Sequence, residues 1–230
     1  MQLIGMLDSP YVRRVAIALI IAKTPFIHRP ISLFRHIDQF SKLNPLLKAP
    51  TLLTEDGVAL MDSSVILNHL ADMDPRIAAL TPSTAPERLA ALRATGLALT
   101  LMEKAVQRHY ERMLRPPEKQ HEPWVDRVMG QLTAGLSALD SELPGSGWIS
   151  AELGLADITV ACAFGFTHAL LADVVETSRY PNLGAFWARA EALPAFRAAP
   201  PEDGVTAAAI DERQPAAEMS PAGMRGGSNG

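Results

Sequence analysis

A serine stands immediately before a proline in "LDSPYVRRVAIAL", residues 7–19, where a short apolar run gives way to helical spacing. Ser9 suits a helix N-cap, and Pro10 suits the first helical position because its φ is preset and its missing N–H would be unpaired there anyway. A serine hydroxyl has one donor and two acceptor lone pairs, so it can accept a helix N–H and still donate its proton to an anion at the same terminus. A second helix start, "DSSVILNHLADM", opens on Asp62 and Ser63, again a polar side chain beside unpaired backbone N–H groups. Other chemistries lack their residues. The one cysteine, Cys162, has no partner for an internal disulfide, and the histidines show neither zinc-ligand spacing nor an HExxH pattern, so no metal is expected.

The elements that must position these residues can be read along the chain. Residues 2–7 suggest a buried strand, and a helix follows from Ser9 to Ala22, closed by "KTP". "FIHRPISL" at 26–33 suggests a second strand near a sheet edge, because Pro30 interrupts it. After an irregular or short helical connection, "APTLLTEDG" and "VALM" suggest a hairpin around an Asp-Gly turn, and the "DSS" helix follows. The order β-α-β-(α)-β-β-α predicts a mixed sheet over residues 1–80, with one right-handed crossover between parallel strands.

"TPSTAPE" at 81–87 suggests a linker, beyond which strand patterns cease. Helical patterns over 88–115, 123–143, 155–172 and 182–192 predict an all-helical domain spanning 88–198. The Pro-, Gly- and Ala-rich segment 199–230 has no aromatic residue and is expected to be largely disordered.

With 48% hydrophobic and 20% charged residues, the composition is that of a folded globular protein. A net charge of −4 gives no attraction for a polyanion, so no nucleic-acid partner is expected. The apolar run "VAIALIIA" is too short to span a bilayer, and the first residues have no basic stretch before it. These features predict a cytoplasmic protein with no membrane partner.

Five motifs in order carry a family resemblance: "SPYVRRV", "NPLLKAPTL" at 44–52, "MDSSVIL" at 61–67, "GLADITVA" at 154–161 and "YPNLGAFWARAEALPAF" at 180–196. Over roughly residues 1–198 the chain resembles the cytosolic glutathione S-transferases, specifically bacterial, serine-type members. The resemblance implies an α/β thioredoxin-like N-terminal domain, an all-α C-terminal domain and a homodimer.

The same resemblance implies residue roles. Glutathione enters as co-substrate, and its thiol, not an enzyme side chain, is the nucleophile. Ser9 stands where serine-type members place the donor that favours the thiolate, with Arg13 and Arg14 one turn on, either as positive potential or as structural ion pairs. Tyrosine-type members place a phenol where this chain has Met6, Leu7 and Asp8, and Tyr11 comes too late to match; cysteine-type members place a thiol where it has Tyr11, Val12 and Arg13. At "DSS", backbone N–H groups and the Ser63 hydroxyl would take the γ-glutamyl carboxylate, and Asp62, a glutamate in many relatives, would face the ammonium. The same motif also serves as a plain helix cap.

Pro50 resembles the family's cis-proline, which would leave the Ala49 main chain free to pair with the cysteinyl unit. Lys48 matches a position that contacts the glycyl carboxylate, though a solvated lysine reads the same way, and His36 is a further candidate at that end. Met102, His109, Tyr110 and Met113 are candidates for an electrophile site between the domains, or for ordinary packing. Asp157 suits the third position of an N-capping box whose cap is Gly154, a stabilising feature. The expected activity is transfer of glutathione to an apolar electrophile. Isomerisation, dehalogenation or peroxide reduction by the same thiolate, and a non-catalytic binding protein on the same fold, are the alternatives.

Overall fold

The computed structural model describes residues 1–172 and 175–202. Strands β1 (Gln2–Ile4), β2 (Ile27–Arg29), β3 (Thr51–Leu53) and β4 (Ala59–Met61) form one sheet in the order β2-β1-β3-β4. β1 and β2 run parallel, with Leu3 opposite His28, while β3 is antiparallel to both β1 and β4, with Leu52 opposite Leu3 and Leu60. The parallel pair requires a crossover, and helix α1 (Pro10–Ile21) supplies it.

Two strands are shorter than their apolar runs suggest. β1 ends at Gly5, whose φ of +133° takes the chain out of extended geometry. β2 ends before Pro30, which has no N–H to give the ladder, and Ile31 N–H turns back to Arg29 C=O at 2.8 Å.

Helices α2 (Ile37–Ser41), α3 (Ser63–Met73) and α4 (Pro75–Ala78) complete the first half. The short α4 is absent from the apolar pattern. Asp74 ends α3 and caps α4 through a 2.9 Å bond from Arg76 N–H, with Pro75 as the first residue. α5 (Ala85–Met113) starts inside the segment expected to be a linker, because Thr84 is an effective cap: its Oγ1 accepts from Glu87 N–H at 3.4 Å and donates to the Glu87 carboxylate at 2.6 Å. α6 (Glu122–Glu142), α7 (Leu155–Leu170), α8 (Pro181–Glu191) and α9 (Pro194–Arg197) follow.

Two helices lie at the centre. Every residue of α7 from Ala156 to Phe164 is buried, and α7 packs on α5, α1 and α8. In α1, nine of the twelve residues are buried, including Arg13 and Arg14, which places this helix between the sheet and α7. The segment from Ala199 is ordered at its start. Ala199 is fully buried and its carbonyl accepts from Arg13 Nε at 2.8 Å, so the expectation of disorder does not hold over 199–202; residues 203–230 lie outside the described residues.

The two halves meet at the start of α7. Leu155 N–H donates to Leu80 C=O at 2.9 Å, and Asp157 accepts from Gly154 N–H at 2.8 Å and from Ile149 N–H at 2.9 Å. Half of a capping box is therefore formed, and a Cβ on Gly154 would lie 2.6 Å from the Leu80 carbonyl oxygen. Glycine stands where a serine cap would collide with backbone. Gly154→Ala is expected to destabilise the protein by about 1–3 kcal/mol in urea unfolding, as overpacking does. Gly130→Ala, on an exposed stretch of α6 with open space around it, should instead stabilise by about 0.5–1 kcal/mol.

Candidate active site

A cleft of about 380 Å³ opens beside the N-terminus of α1, between the sheet half and helices α5 and α7. Ser9, Tyr11, Lys48 and Ala49 line one side; Val106, His109, Tyr110, Phe166 and Leu170 line the other. Gly5 makes the first side compact: a Cβ there would lie 2.6 Å from Val12 Cγ2 and 3.1 Å from Ala49 Cβ, so α1 and the Ala49 loop close directly over the end of β1.

Ser9 occupies the N-cap position of α1, but its hydroxyl makes no capping bond. The expectation that it both caps and acts is corrected to this extent. Its backbone is held by Ser9 N–H to Met6 C=O at 3.2 Å and Arg13 N–H to Ser9 C=O at 2.9 Å. The half-buried side chain lines the cleft instead of accepting from Tyr11 or Val12 N–H. One hydroxyl donor and the open, partially positive end of α1 thus share the cleft.

Tyr11, which matches no tyrosine-type position, also lines the cleft. Burial, reinforced by Glu103 and Asp62, pushes its phenol up to about 12, so it stays protonated and serves as a hydrogen-bond donor at neutral pH.

The Ala49–Pro50 bond is cis. The loop before it is built by Asn44, a fully buried residue with no signature beyond an Asn-Pro pair. Asn44 Nδ2 donates to Thr51 Oγ1 at 2.9 Å and to Lys48 C=O at 3.2 Å, and its Oδ1 accepts from Leu46 N–H at 3.0 Å. Lys48 is exposed beside Ala49 on the cleft wall. His36 does not share that wall: it lies in a shallow depression along residues 34–39, with Nδ1 accepting from Ser32 N–H at 3.2 Å.

Asp62 and Ser63 lie at the start of α3, outside the lining of this cleft. Asp62 is exposed, adopts a φ of +68°, and caps α3 by accepting from Ser64 N–H at 2.8 Å. The Ser63 hydroxyl is buried and accepts from Arg14 Nη1 at 3.0 Å. Arg13 is structural, its fork bonded to both Glu191 carboxylate oxygens at 2.6 and 2.7 Å.

On the opposite wall, Val106, His109 and Tyr110 share one face of α5 at helical spacing. Burial, with Arg108 nearby, pushes the His109 imidazole down, which keeps it neutral. Burial, with Asp8 nearby, pushes the Tyr110 phenol up. Phe34, from the loop after β2, meets Tyr110 edge-on at 6.0 Å and joins the two walls. Two electrophile-site candidates are corrected. Met102 is fully buried in the helical core, and Met113, one turn beyond Tyr110, is largely exposed and outside the cleft. Phe34, Val106, Phe166 and Leu170 stand in the cleft with nothing in their local sequence to separate them from core or surface apolar residues.

Among the described residues no group of three or more His, Cys, Asp or Glu is arranged to hold a metal. No helix is long and apolar enough to cross a membrane, again among the described residues.

Comparison with known proteins agrees with this architecture. Residues 3–77 match the glutathione S-transferase N-terminal domain model, and residues 122–189 match the glutathione S-transferase C-terminal domain model. The chain is 29% identical over 209 residues to glutathione S-transferase Z2 of Arabidopsis thaliana, covering 84% of this chain and 87% of that one. It is 28% identical over 168 residues to the uncharacterized GST-like protein YibF of Escherichia coli, covering 73% and 82%. A glutathione S-transferase from Methylobacterium radiotolerans, solved in complex with glutathione sulfonate, superposes with a TM-score of 0.79 at 29% identity, over 85% of this chain and 92% of that one. One from Methylobacillus flagellatus, solved with GSH bound, gives a TM-score of 0.79 at 27% identity, over 87% and 99%. The chain belongs to the glutathione S-transferase family.

Cys162 takes no part in the cleft. It is 1% exposed within α7, and burial pushes its thiol up to about 12. In the native protein the thiol is expected to resist an aromatic disulfide reagent at neutral pH, whereas denaturant should release one rapidly reacting thiol per chain. Fast labelling of the native state would show a more open α7 than the structure has.

Proposed function

We propose that this chain is a glutathione transferase, with glutathione as co-substrate and its thiolate attacking an apolar electrophile in the cleft. The observation that carries this reading is the uncommitted Ser9 hydroxyl at the open N-terminus of α1, in a cleft with an apolar and aromatic far wall. An ordinary thiol has a pKa near 8.5 and is only a few per cent ionised at neutral pH. A helix terminus and one good donor lower it, and a hydrogen bond to a charged group contributes about 1.5–3 kcal/mol, or about one to two pKa units.

In this reading Ser9 donates to the sulfur and the Ala49 main chain pairs with the cysteinyl unit. Lys48 faces the glycyl carboxylate, with His36 a more remote contributor. The start of α3 takes the γ-glutamyl end: Asp62 attracts the ammonium, and the Ser63 N–H and hydroxyl attract the carboxylate. His109 and Tyr110, both uncharged at neutral pH, receive the electrophile. The reading includes a homodimer in the cytoplasm, as the family resemblance implies; Val65, Leu89 and Leu92 are among the exposed apolar residues available to a second copy.

Ser9→Ala is expected to raise the apparent pKa of the bound thiol by about one to two units and to lower kcat at neutral pH by about tenfold or more, with thermal stability unchanged. Ultraviolet titration of the thiolate in the complex measures the first, and turnover of an aryl halide the second. If Tyr11→Phe produces that shift and Ser9→Ala does not, the donor is Tyr11. Asp62→Ala should weaken glutathione binding about tenfold in calorimetry, with a smaller effect on kcat. A wild-type protein that binds glutathione yet turns over no electrophile across a broad panel would instead favour a binding role.

A further inference from the structure

Burial does not explain the residue at the mouth of the cleft. Phe34 is 60% exposed, yet its ring meets Tyr110 edge-on at 6.0 Å, across the gap between the loop after β2 and helix α5. The loop that carries it is tightly built. Ser32 is buried, and its Oγ accepts from the N–H groups of Phe34 and Arg35, both at 3.2 Å. Its own N–H donates to His36 Nδ1 at 3.2 Å, and its C=O accepts from His36 N–H at 3.1 Å. Four bonds centred on one serine thus fix the backbone that presents one exposed ring.

The cleft behind that ring is aromatic as well. Tyr11, His109, Tyr110 and Phe166 line it together with Phe34, and the His109 and Tyr110 rings lie 6.2 Å apart at a tilt of 50°. Phe34 and Tyr110 come from different halves of the molecule, so the spacing between their rings is a property of the fold and not of either segment. A flat aromatic guest can offset-stack on one ring and meet another with its edge. A saturated ring of the same carbon count is thicker, carries hydrogens on both faces and has no quadrupole. It is also the more hydrophobic of the two, so area burial alone would favour it. Only ring-to-ring contact reverses that order.

We infer that Phe34 determines specificity in this cleft, selecting flat aromatic electrophiles over saturated ones of equal carbon count, and that Ser32 is the positioning residue that holds it against Tyr110. Ser32 acts through Phe34, by keeping the loop in the one conformation that brings the two rings together. The chemical step needs nothing from either residue. With a benzylic halide, the thiolate lone pair forms the C–S bond as the carbon–halogen bond breaks, and the halide leaves with the bonding pair. The rings hold the aromatic part of the electrophile during that step and exchange no proton or electron with it. The inference rests on the glutathione reading above and narrows its electrophile.

The test uses the full chain and three ligands in calorimetry: glutathione, S-benzylglutathione and S-(cyclohexylmethyl)glutathione, the last two matched in carbon count. Wild type should bind the benzyl conjugate about threefold or more tighter than the cyclohexylmethyl one, the size expected for aromatic contacts. Phe34→Leu, which keeps an apolar side chain without the ring, should bring the two conjugates within about twofold of each other. Phe34→Tyr, which keeps the ring, should retain the preference. Ser32→Ala leaves the ring in place but removes the acceptor of two loop N–H groups, and it should lose part of the preference. If Phe34→Leu weakens all three ligands alike, or leaves the preference unchanged, Phe34 has no part in selection and the inference is overturned. An unchanged preference in Ser32→Ala would overturn the role given to the loop. Wild type that binds glutathione but the two conjugates equally well would overturn this inference alone. Wild type that binds none of the three would remove the glutathione reading and this inference with it.

Discussion

Burying a guanidinium is costly unless hydrogen bonds and charge surround it, and α1 buries two in succession. Arg13 ties α1 to Glu191 in α8, to the Phe196 carbonyl in α9, and to Ala199 beyond it. Arg14 ties α1 to the start of α3 and to Thr159 in α7. The helix that presents Ser9 is thus fixed to four points of the helical half and to the other helix start that faces the ligand in the functional reading. Few placements satisfy both forks at once, so the distance between the two helix starts is set from the interior and not by the surface loops.

That frame determines what the cleft can do. One wall is polar and belongs to elements locked by backbone contacts: the open end of α1, the Ala49–Pro50 loop built on Asn44, and Gly5 beneath them. The opposite wall is a face of α5 and the end of α7, largely apolar, with a neutral imidazole and a protonated phenol. A thiolate gains from the first wall and an uncharged electrophile from the second. Phe34 against Tyr110 is the point where the two walls touch, and it comes from an exposed loop residue, so the mouth of the cleft is set by a contact with much less burial than the floor.

Much of this frame is legible in the sequence because it rests on local rules. Alternation and turn residues give the four strands and their order, and helical spacing gives the long helices. What was not legible depends on tertiary neighbours. Nothing in "SPYV" states whether the Ser9 hydroxyl turns to its helix or to a cleft. The inward bond of Ser63 depends on an arginine 49 positions away. Met102 and Tyr110 have similar local patterns, yet one is in the core and the other on the cleft wall, a difference set by where α7 crosses α5. Gly154 reads as a weak cap until the Leu80 carbonyl is seen at the distance a Cβ would need.

The departures from local rules converge on the two helix starts that matter. Ser, Thr or Asp occupies the N-cap of four helices among the described residues; Asp62, Asp74 and Thr84 accept from their helix, and Ser9 does not. A forgone capping bond leaves the fold about 1 kcal/mol less stable. Asp62 does cap, but at a φ of +68°, a conformation that costs a non-glycine residue about 1–3 kcal/mol. Both residues stand at the open end of their helices: Ser9 is half-buried in the cleft lining and Asp62 is exposed. In the functional reading, one ligand spanning the two helix starts accounts for both departures.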